Sequence, residues 1–329
     1  MERRKLGRSG IEVSVMALGC WPFAGGVVWG EQDDDASIAT VHAALEAGIN
    51  FFDTAEGYGA GKSEQVLGRA LAGRRDRAVI ATKVSPDHLA PADLVASCER
   101  SLRTLGTDYV DLYMIHWPSR EVRLAETVRA LEQLRQQGKI RAIGVSNFGV
   151  GDLSDMVALT RCASDQLPYG LLWRVIEREI VPLCRREEVG IMCYSPLAQG
   201  LLTGRYRSAD DVPDGLARTR HYASTRPLAK HGEPGCEAEV FEAIAAVRAI
   251  AEELDQSMAA VALAWVRQQP GVTAFLVGAR SPAELAWNLA SLQLTLSDEV
   301  LARLSAATDR VKAKLGTNPD PWMSPSRYR

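Results

Sequence analysis

The sequence predicts a (β/α)8 TIM barrel of the α/β class, with an N-terminal β-hairpin and long loops on its C-terminal face. Eight short apolar segments alternate along the chain with longer amphipathic ones. Strands that are apolar throughout belong to a parallel sheet covered on its outside, and eight such units close into a barrel. No Gly-x-Gly-x-x-Gly follows an early strand, which disfavours a doubly wound dinucleotide-binding fold.

The elements follow in order. A hairpin is predicted from Lys5 to Val13. The eight barrel strands are predicted at residues 14–20, 51–55, 78–84, 110–117, 140–147, 162–167, 190–195 and 274–279. Helical spacing is clear between residues 240 and 254, where five apolar residues share one face. Four glycines follow helical segments and predict their ends, at Gly48, Gly73, Gly106 and Gly138.

We expect one barrel domain over residues 1–329, because no linker or shift in composition divides the chain. The longest irregular stretch, residues 208–235, lies between the seventh strand and its helix. In a barrel it would lie over the active-site face. Residues 312–329 lack periodicity and are predicted as a C-terminal tail that folds over the same face.

Composition narrows the classes of partner. Lys plus Arg is 38 and Asp plus Glu is 41, so the net charge is −3. This balance gives no basic surface for nucleic acid or an anionic membrane, and a small-molecule substrate is expected. The oligomeric state is not indicated. The six cysteines have no disulfide or metal-binding pattern, so we expect reduced thiols, no metal and a cytoplasmic protein.

A signal or lipidation segment is the alternative interpretation of the N-terminus, since the residues from Met16 to Cys20 faintly resemble a lipidation site. Against this interpretation, Glu12 directly precedes the uncharged run, and the glycines and Pro22 within the run would break an apolar helix there. A first buried strand is therefore the favoured interpretation.

Polar residues end seven consecutive predicted strands. They are Asp53, Lys83, His116, Ser146-Asn147, Asp165-Gln166, Tyr194-Ser195 and Gly278-Ala279-Arg280. The C-terminal ends of barrel strands converge on one mouth, where catalytic groups are found. A structural barrel has no need for such a set, because burying Asp, Lys and His is costly unless they pair with one another.

Five segments carry a resemblance to a known family. They are Phe51-Phe-Asp53-Thr-Ala-Glu-Gly-Tyr58-Gly59, Ala81-Thr-Lys83, Asp111-Leu-Tyr-Met-Ile-His116-Trp-Pro118, Gly144-Val-Ser-Asn-Phe148 and Tyr194-Ser-Pro-Leu-Ala-Gln-Gly-Leu-Leu-Thr-Gly204. In this order they resemble the aldo-keto reductases, in particular bacterial NADP-dependent oxidoreductases. The resemblance runs from Lys5 to about Asn288. It implies reduction of aldehydes or ketones, with sugars or polyols also possible substrates, and a catalytic tetrad of Asp53, Tyr58, Lys83 and His116.

The chemistry of carbonyl reduction agrees with that tetrad, because the reduced carbonyl oxygen needs a proton and oriented hydrogen bonds. Tyr58 is the expected proton donor. We expect the Lys83 ammonium to lower the pKa of Tyr58, Asp53 to keep Lys83 charged, and His116 to orient the carbonyl. The structural alternatives are a surface Tyr58 and an Asp53–Lys83 ion pair without catalytic function.

The resemblance also implies the cofactor residues. Ser146, Asn147 and Gln166 would bind the nicotinamide carboxamide, and Tyr194 would stack on the ring. Backbone N–H groups of a Gly-rich turn would approach the pyrophosphate, with Ser195, Leu197 and Gly200 as the expected contacts.

A phosphate site is predicted after the eighth strand. Ser281 is placed as a helix N-cap with Pro282 at the first position, and Arg280 adds a guanidinium, which together favour NADPH over NADH. Gly278 precedes them, and Glu284 and Asn288 would reach the adenine side. Arg280 as an ordinary solvated arginine is the alternative.

The expected substrate pocket is partly aromatic. Trp21 and Trp117 directly follow strands and are the favoured contacts; Trp29, Phe148 and Trp322 are also predicted near the mouth. Many members of the family have Asn where this chain has Gly170, which puts local loop contacts there in doubt.

Other functions stay open from the sequence. A Schiff-base aldolase would also use a lysine at a strand end, here Lys83. A cofactor-binding regulatory subunit with little turnover would keep the cofactor site. A metallohydrolase is disfavoured, because His116 is alone at a strand end. The same residues would also serve alcohol oxidation with NADP⁺, so the direction is not fixed.

Overall fold

The computed structural model describes residues 1–329, with the exception of the side chains of Val27 and Val28. Ten strands are present. The hairpin consists of β1 (Arg3–Lys5) and β2 (Glu12–Ser14). The barrel strands are β3 (Met16–Gly19), β4 (Phe51–Asp53), β5 (Val79–Val84), β6 (Val110–Ile115), β7 (Ile140–Ser146), β8 (Ser164–Pro168), β9 (Gly190–Tyr194) and β10 (Val272–Gly278).

The eight strands β3 to β10 form a closed parallel barrel in chain order, and β10 pairs with β3 to complete it. The helices are α1 (Gly26–Trp29), α2 (Asp34–Glu46), α3 (Lys62–Leu71), α4 (Pro91–Leu105), α5 (Leu124–Gln136), α6 (Val150–Leu159), α7 (Ile180–Arg186), α8 (Glu237–Glu253), α9 (Met258–Arg267), α10 (Pro282–Ala290) and α11 (Asp298–Leu315). The predicted TIM barrel is confirmed.

Two cores follow from the alternation of side chains along each strand. Small and medium side chains such as Ala81, Met114 and Ala274 fill the barrel interior together with Leu6 and Val13 of the hairpin. The larger core lies between the strands and the surrounding helices.

The hairpin closes the N-terminal end of the barrel. Gly7 adopts a φ of +51°, and a Cβ there would lie 2.4 Å from the carbonyl oxygen of Ala163. Only glycine fits this close approach. The other end of the barrel is therefore the open mouth.

Predicted helix ends agree with the structure. Gly48, Gly73, Gly106 and Gly138 all have positive φ values after a helix, as expected for C-terminal caps. Cys20, in the segment that raised the lipidation alternative, is fully buried directly after β3. All six cysteines are buried and unpaired.

The predicted start of the tail is wrong by four residues. Helix α11 continues to Leu315, because Leu304, Thr308, Val311 and Leu315 form one buried stripe. Residues 316–329 then return over the mouth, where Asp320, fully buried, accepts two hydrogen bonds from the Arg327 guanidinium at 2.7 and 2.8 Å.

The long loop between β9 and α8 covers the same face. Arg220 joins this loop to the tail, because its guanidinium pairs with Glu233 at 2.9 Å and also donates to the carbonyl oxygens of Leu315 and Asn318. Across the described residues, no helix has both the length and the apolar character that crossing a membrane requires.

Candidate active site

Lys83 occupies the centre of the mouth at the end of β5. Its Nζ donates to Asp53 Oδ2 at 2.8 Å, to the carbonyl oxygen of Thr54 at 2.8 Å and to the Tyr58 hydroxyl at 3.2 Å. The Lys83 side chain is fully buried. An ammonium has three N–H donors, and here all three have an acceptor.

Tyr58 lies in the turn between β4 and α3, where its carbonyl oxygen accepts from the Ser63 N–H at 3.2 Å. Its ring stacks on Trp21 with centroids 5.7 Å apart and meets His116 edge-on at 5.6 Å. Because the Tyr58 oxygen accepts from Lys83, its own proton is free to be donated. The structure thus brings the four predicted tetrad residues together.

Burial and charge set the protonation states. Burial alone would lower the pKa of Lys83, but the Asp53 carboxylate and the Tyr58 hydroxyl outweigh it and raise that pKa. Burial, helped by the Lys83 charge, lowers the pKa of His116 to about 3, so its imidazole is neutral. Lysine is therefore the cation of this cluster.

The expected effect of the Lys83 ammonium, a lowering of the Tyr58 pKa, is present but is not the larger one. Burial raises this pKa more than the Lys83 ammonium lowers it. The phenol is consequently protonated at neutral pH, and the ammonium limits a shift that burial alone would make larger.

Gln166, on β8, extends the cluster. Its Nε2 donates to Asp53 Oδ1 at 2.7 Å, so both Asp53 oxygens are used. Ser146 Oγ donates to the Gln166 carbonyl oxygen at 2.9 Å. These contacts fix Asp53 beneath Lys83.

Asn147 follows β7 with a φ of +64°, a conformation that Asn tolerates better than most residues. Its Nδ2 donates to the His116 carbonyl oxygen and to Ser146 Oγ, each at 3.0 Å. Its Oδ1 accepts from the hydroxyls of Tyr194 at 2.9 Å and Tyr328 at 2.6 Å. The amide of Asn147 therefore has all its hydrogen bonds within the protein.

The predicted phosphate turn after β9 has an unusual backbone. Ser195, Ala198, Gln199 and Gly200 have φ values of 52°, 48°, 55° and 94°. The Gly200 N–H donates to the Leu197 carbonyl oxygen at 3.0 Å, so this donor is used inside the turn.

Gly170 lies against this turn. A Cβ at residue 170 would be 2.6 Å from the Pro196 carbonyl oxygen. With this backbone, an Asn cannot occupy the position, because the turn approaches residue 170, which follows β8, more closely than a side chain would allow.

The start of α10 has the predicted cap. Ser281 Oγ accepts from the Glu284 N–H at 3.3 Å, and Pro282 is the first helical residue. The Glu284 carboxylate accepts from the Arg280 N–H at 2.8 Å, and Asn288 Nδ2 donates to the carbonyl oxygen of Gly278 at 3.4 Å.

Arg280 contacts the segment before α2. Its Nε donates to Gln32 Oε1 at 2.7 Å and its Nη2 to the Glu31 carbonyl oxygen. It is thus a hydrogen-bonded residue at the rim of the mouth rather than a freely solvated one.

The aromatic residues separate into two groups. Trp21 stacks on Tyr58, and Trp29 meets Trp21 edge-on at 5.5 Å. Trp117 packs against Tyr328 at 5.7 Å, with the Arg327 guanidinium carbon 3.5 Å from its ring centroid. Phe148 was expected near the pocket, but it is 1% exposed and belongs to the outer core.

A sequence model described as Aldo/keto reductase family matches residues 15–309. The chain belongs to this family. Its members are oxidoreductases, and so is this protein.

Individual relatives of this aldo-keto reductase align over most of its length. Aldo-keto reductase YhdN of Bacillus subtilis is 35% identical over 296 residues, which cover 87% of each chain. The NADH-specific methylglyoxal reductase of Escherichia coli is 32% identical and covers 91% of this chain and 95% of its own. An aldo-keto reductase from Klebsiella pneumoniae, solved with NADPH, has a TM-score of 0.75 and 30% identity, and covers 97% of this chain and 99% of its own.

Sequence reasoning about this aldo-keto reductase missed three contributors to the mouth. Tyr328 reaches Asn147 from 181 positions away, Thr54 contributes only a backbone oxygen, and Arg218 stands over the Trp322 ring with 5.0 Å to its centroid. A backbone oxygen leaves no signal in a sequence. The one sign of the tail's contribution was Trp322, which is predicted near the mouth, because Tyr328 belongs to the same tail.

Proposed function

We propose that this aldo-keto reductase reduces small aldehydes or ketones to alcohols with NADPH. The observation that carries the proposal is the position of Lys83, whose ammonium is bound by Asp53 Oδ2 at 2.8 Å and by the Tyr58 hydroxyl at 3.2 Å. This arrangement leaves a phenol proton directed away from a fixed positive charge.

NADPH would supply the hydride. Tyr58 would give its proton to the carbonyl oxygen as negative charge develops there, and the Lys83 ammonium would stabilise the phenolate that remains. His116, neutral because its pKa is about 3, can donate one hydrogen bond to the same oxygen. Asp53 would keep Lys83 charged and in place.

The residues proposed to hold the cofactor are those along the rim of the mouth: Ser146, Asn147, Gln166, Tyr194, Ser195, Leu197, Gly200, Gly278, Arg280, Ser281, Glu284 and Asn288. The buried Oε1 of Gln199, which has no hydrogen-bond partner among the described residues, supports a polar ligand beside the turn after β9. Asn147 can accept a hydrogen bond from a carboxamide through its Oδ1 only if Tyr194 or Tyr328 releases that atom.

Arg280 supports the preference for NADPH, because its guanidinium lies at the start of α10, where a 2′-phosphate would also meet the helix N-terminus. The Glu284 carboxylate at that position works against a phosphate. We propose that Glu284 turns toward the adenosine when the cofactor binds.

The proposed substrates are small carbonyl compounds that fit between Trp21 and Trp117. Tyr328 of the tail, residues 316–329, packs against the Trp117 ring with centroids 5.7 Å apart, so we propose that the tail borders the substrate space and belongs to the single barrel domain. Methylglyoxal is the first substrate to test, because the Escherichia coli relative is named for it. Sugars, and polyols in the direction of oxidation, are a second group of substrates to test.

Two alternatives are less well supported. A Schiff-base aldolase needs a neutral, accessible lysine amine, whereas Lys83 is fully buried with a raised pKa. A regulatory subunit with little turnover would have no use for a phenol so placed between Lys83 and His116.

The deciding experiment is a fluorescence titration of the purified protein with NADPH and with NADH, followed by turnover assays on methylglyoxal and a panel of aldehydes. We expect binding with a preference for NADPH and measurable reduction. Tight cofactor binding without turnover on any carbonyl would favour the regulatory subunit. Absence of binding, together with trapping of a substrate on Lys83 by borohydride, would favour the aldolase.

A further inference from the structure

Tyr58 lies in a glycine-rich turn, with Gly57 and Gly59 on either side of it. Glycine loses more conformational freedom on folding than any other residue, so the position of the phenol depends on contacts made by the neighbouring residues. On the C-terminal side, the Ser63 N–H at the start of α3 donates to the Tyr58 carbonyl oxygen at 3.2 Å. On the N-terminal side, the contacts are those of Glu56.

The Glu56 carboxylate has three partners. Its Oε1 accepts from the Ser85 N–H at 2.7 Å and lies 2.9 Å from His88 Nδ1, and its Oε2 accepts from Arg100 Nη2 at 3.0 Å. The Glu56 side chain is 8% exposed, whereas the side chains of His88 and Arg100 are half-exposed. Burial would raise the pKa of Glu56, but these partners outweigh it and lower that pKa. The carboxylate is therefore charged at neutral pH, and its hydrogen bonds are charge-assisted.

Ser85 connects Glu56 to the segment that carries Lys83. Ser85 follows Lys83 by two residues, as Glu56 precedes Tyr58 by two. A second hydrogen bond joins the same segments, from the Glu56 N–H to the Lys83 carbonyl oxygen at 3.3 Å. The side chain and the backbone of Glu56 thus tie the turn that carries the phenol to the strand end that carries the ammonium.

We propose that Glu56 is a positioning residue for carbonyl reduction and that it sets the distance between Lys83 Nζ and the Tyr58 hydroxyl, which is 3.2 Å. This inference rests on the proposed function. Glu56 acts through the backbone on either side of it and through Ser85. Proton donation by the phenol and stabilisation of the resulting phenolate both depend on that distance. A displacement of about 1 Å at a reacting group can lower a rate by roughly a hundredfold.

Asp111 provides a matched control at the opposite end of the barrel. Its Oδ2 accepts from the Ile80 N–H at 2.9 Å and from Arg75 at 2.7 Å, and its Oδ1 accepts from Arg141 at 2.9 Å. Like Glu56, it is a buried carboxylate bound by one backbone N–H and two basic side chains. It lies near the start of β6, at the end that the hairpin closes, where residues serve stability rather than catalysis.

The experiment compares Glu56→Ala and Glu56→Gln with Asp111→Ala and Asp111→Asn. For each protein, kcat and KM for methylglyoxal and for a panel of aldehydes are measured, together with the dissociation constant for NADPH and the pH profile of kcat/KM. Thermal unfolding gives the stability of each variant. All rates are measured below the unfolding temperature of the least stable protein.

We expect Glu56→Ala to lower kcat by about tenfold or more, with a dissociation constant for NADPH close to that of wild type. Glu56→Gln retains part of the activity, because its amide oxygen can still accept from the Ser85 N–H. The Asp111 variants unfold at lower temperature and keep the wild-type kcat. If Glu56→Ala does not fold, the comparison of Glu56→Gln with Asp111→Asn decides.

The alkaline end of the pH profile gives a second measure of the distance between phenol and ammonium. Burial raises the pKa of Tyr58, as do the nearby Asp53 and Cys20, and the Lys83 ammonium lowers it. His116 also meets the Tyr58 ring. A phenol that lies farther from the ammonium has a higher pKa. A longer distance therefore moves the alkaline fall of kcat/KM to higher pH.

We expect this movement in Glu56→Ala and not in Asp111→Ala. Losses of kcat that follow the loss of stability equally in both pairs of variants would show that Glu56 is only structural. An unchanged kcat and an unmoved alkaline fall in Glu56→Ala would remove Glu56 from the reaction while leaving the proposed function intact. Weaker NADPH binding at unchanged kcat would assign Glu56 to the cofactor site instead. Absence of carbonyl reduction by the wild-type protein refutes the proposed function and the positioning of its proton donor with it.

Discussion

The hydroxyl of Tyr328 donates to Asn147 Oδ1 at 2.6 Å, which links the second-last residue of the sequence to the end of the fifth barrel strand. Tyr328 is 7% exposed, and the Gly151 N–H donates to the neighbouring Arg329 carbonyl oxygen at 2.7 Å. The tail is thus seated beside residues that we propose for the nicotinamide carboxamide.

Tyr328→Phe tests whether the tail competes with the cofactor for Asn147. The variant frees one acceptor site on Asn147 Oδ1, so we expect NADPH to bind severalfold more tightly. The lost hydrogen bond should lower the free energy of unfolding by about 1 kcal/mol. Titration and urea unfolding measure the two effects. Weaker cofactor binding would mean that Tyr328 positions Asn147 rather than occupying its ligand site.

Tyr58→Phe removes the proposed proton donor while keeping the ring that stacks on Trp21. We expect kcat for methylglyoxal reduction to fall by roughly a hundredfold or more, as for the loss of a general acid. The dissociation constant for NADPH should stay within about twofold. A parallel loss of cofactor affinity would show that Tyr58 is structural.

The pH profile of reduction follows from two pKa shifts. The pKa of Tyr58 is raised, so the donor remains protonated at every pH below its usual value of 10. His116, with a pKa of about 3, stays neutral through the same range. We expect kcat/KM to be flat from about pH 6 to 9 and to fall at more alkaline pH. An inflection near pH 6.5 that disappears in His116→Gln would contradict the neutral imidazole.

Arg280→Ala should weaken NADPH much more than NADH, because only NADPH carries the 2′-phosphate. The dissociation constants for NADPH and for NADH are measured in the wild-type protein and in the variant, and the loss of affinity is compared between the two cofactors. Thermal unfolding of the variant is also measured, because Arg280 binds Gln32 at 2.7 Å. Equal losses for both cofactors would show that Arg280 holds the rim in place and does not recognise the phosphate.

Barrel strands and their polar ends could be predicted because each depends on local sequence. Asp53, Lys83 and His116 each follow an apolar run, and the geometry of a parallel barrel brings such positions together. The end of α11 could also have been predicted, because Leu315 continues the stripe of Leu304, Thr308 and Val311 at helical spacing. The two lysines between Val311 and Leu315 made this last turn resemble a polar tail.

Contacts between distant segments could not be predicted. The contacts of Asn147 with Tyr328, and of Arg280 with Gln32, join residues far apart in the chain, and no periodicity records them. The net pKa of Tyr58 was also out of reach, because it is decided by burial that the sequence does not give. Phe148 was misplaced for the same reason, as a residue following a strand can point into the outer core.

Arg220 limits how the loop and the tail that cover this mouth can be exchanged between related enzymes. The Arg220 guanidinium binds Glu233 of the loop and also the carbonyl oxygens of Leu315 and Asn318. The loop and the tail are therefore held together as one unit. Because the tail acceptor is the backbone carbonyl oxygen of Asn318, a chimera that receives only the tail of a relative keeps this contact only where the new tail follows the same backbone path. Exchange of substrate range between such enzymes should therefore succeed when loop and tail are transplanted as a pair.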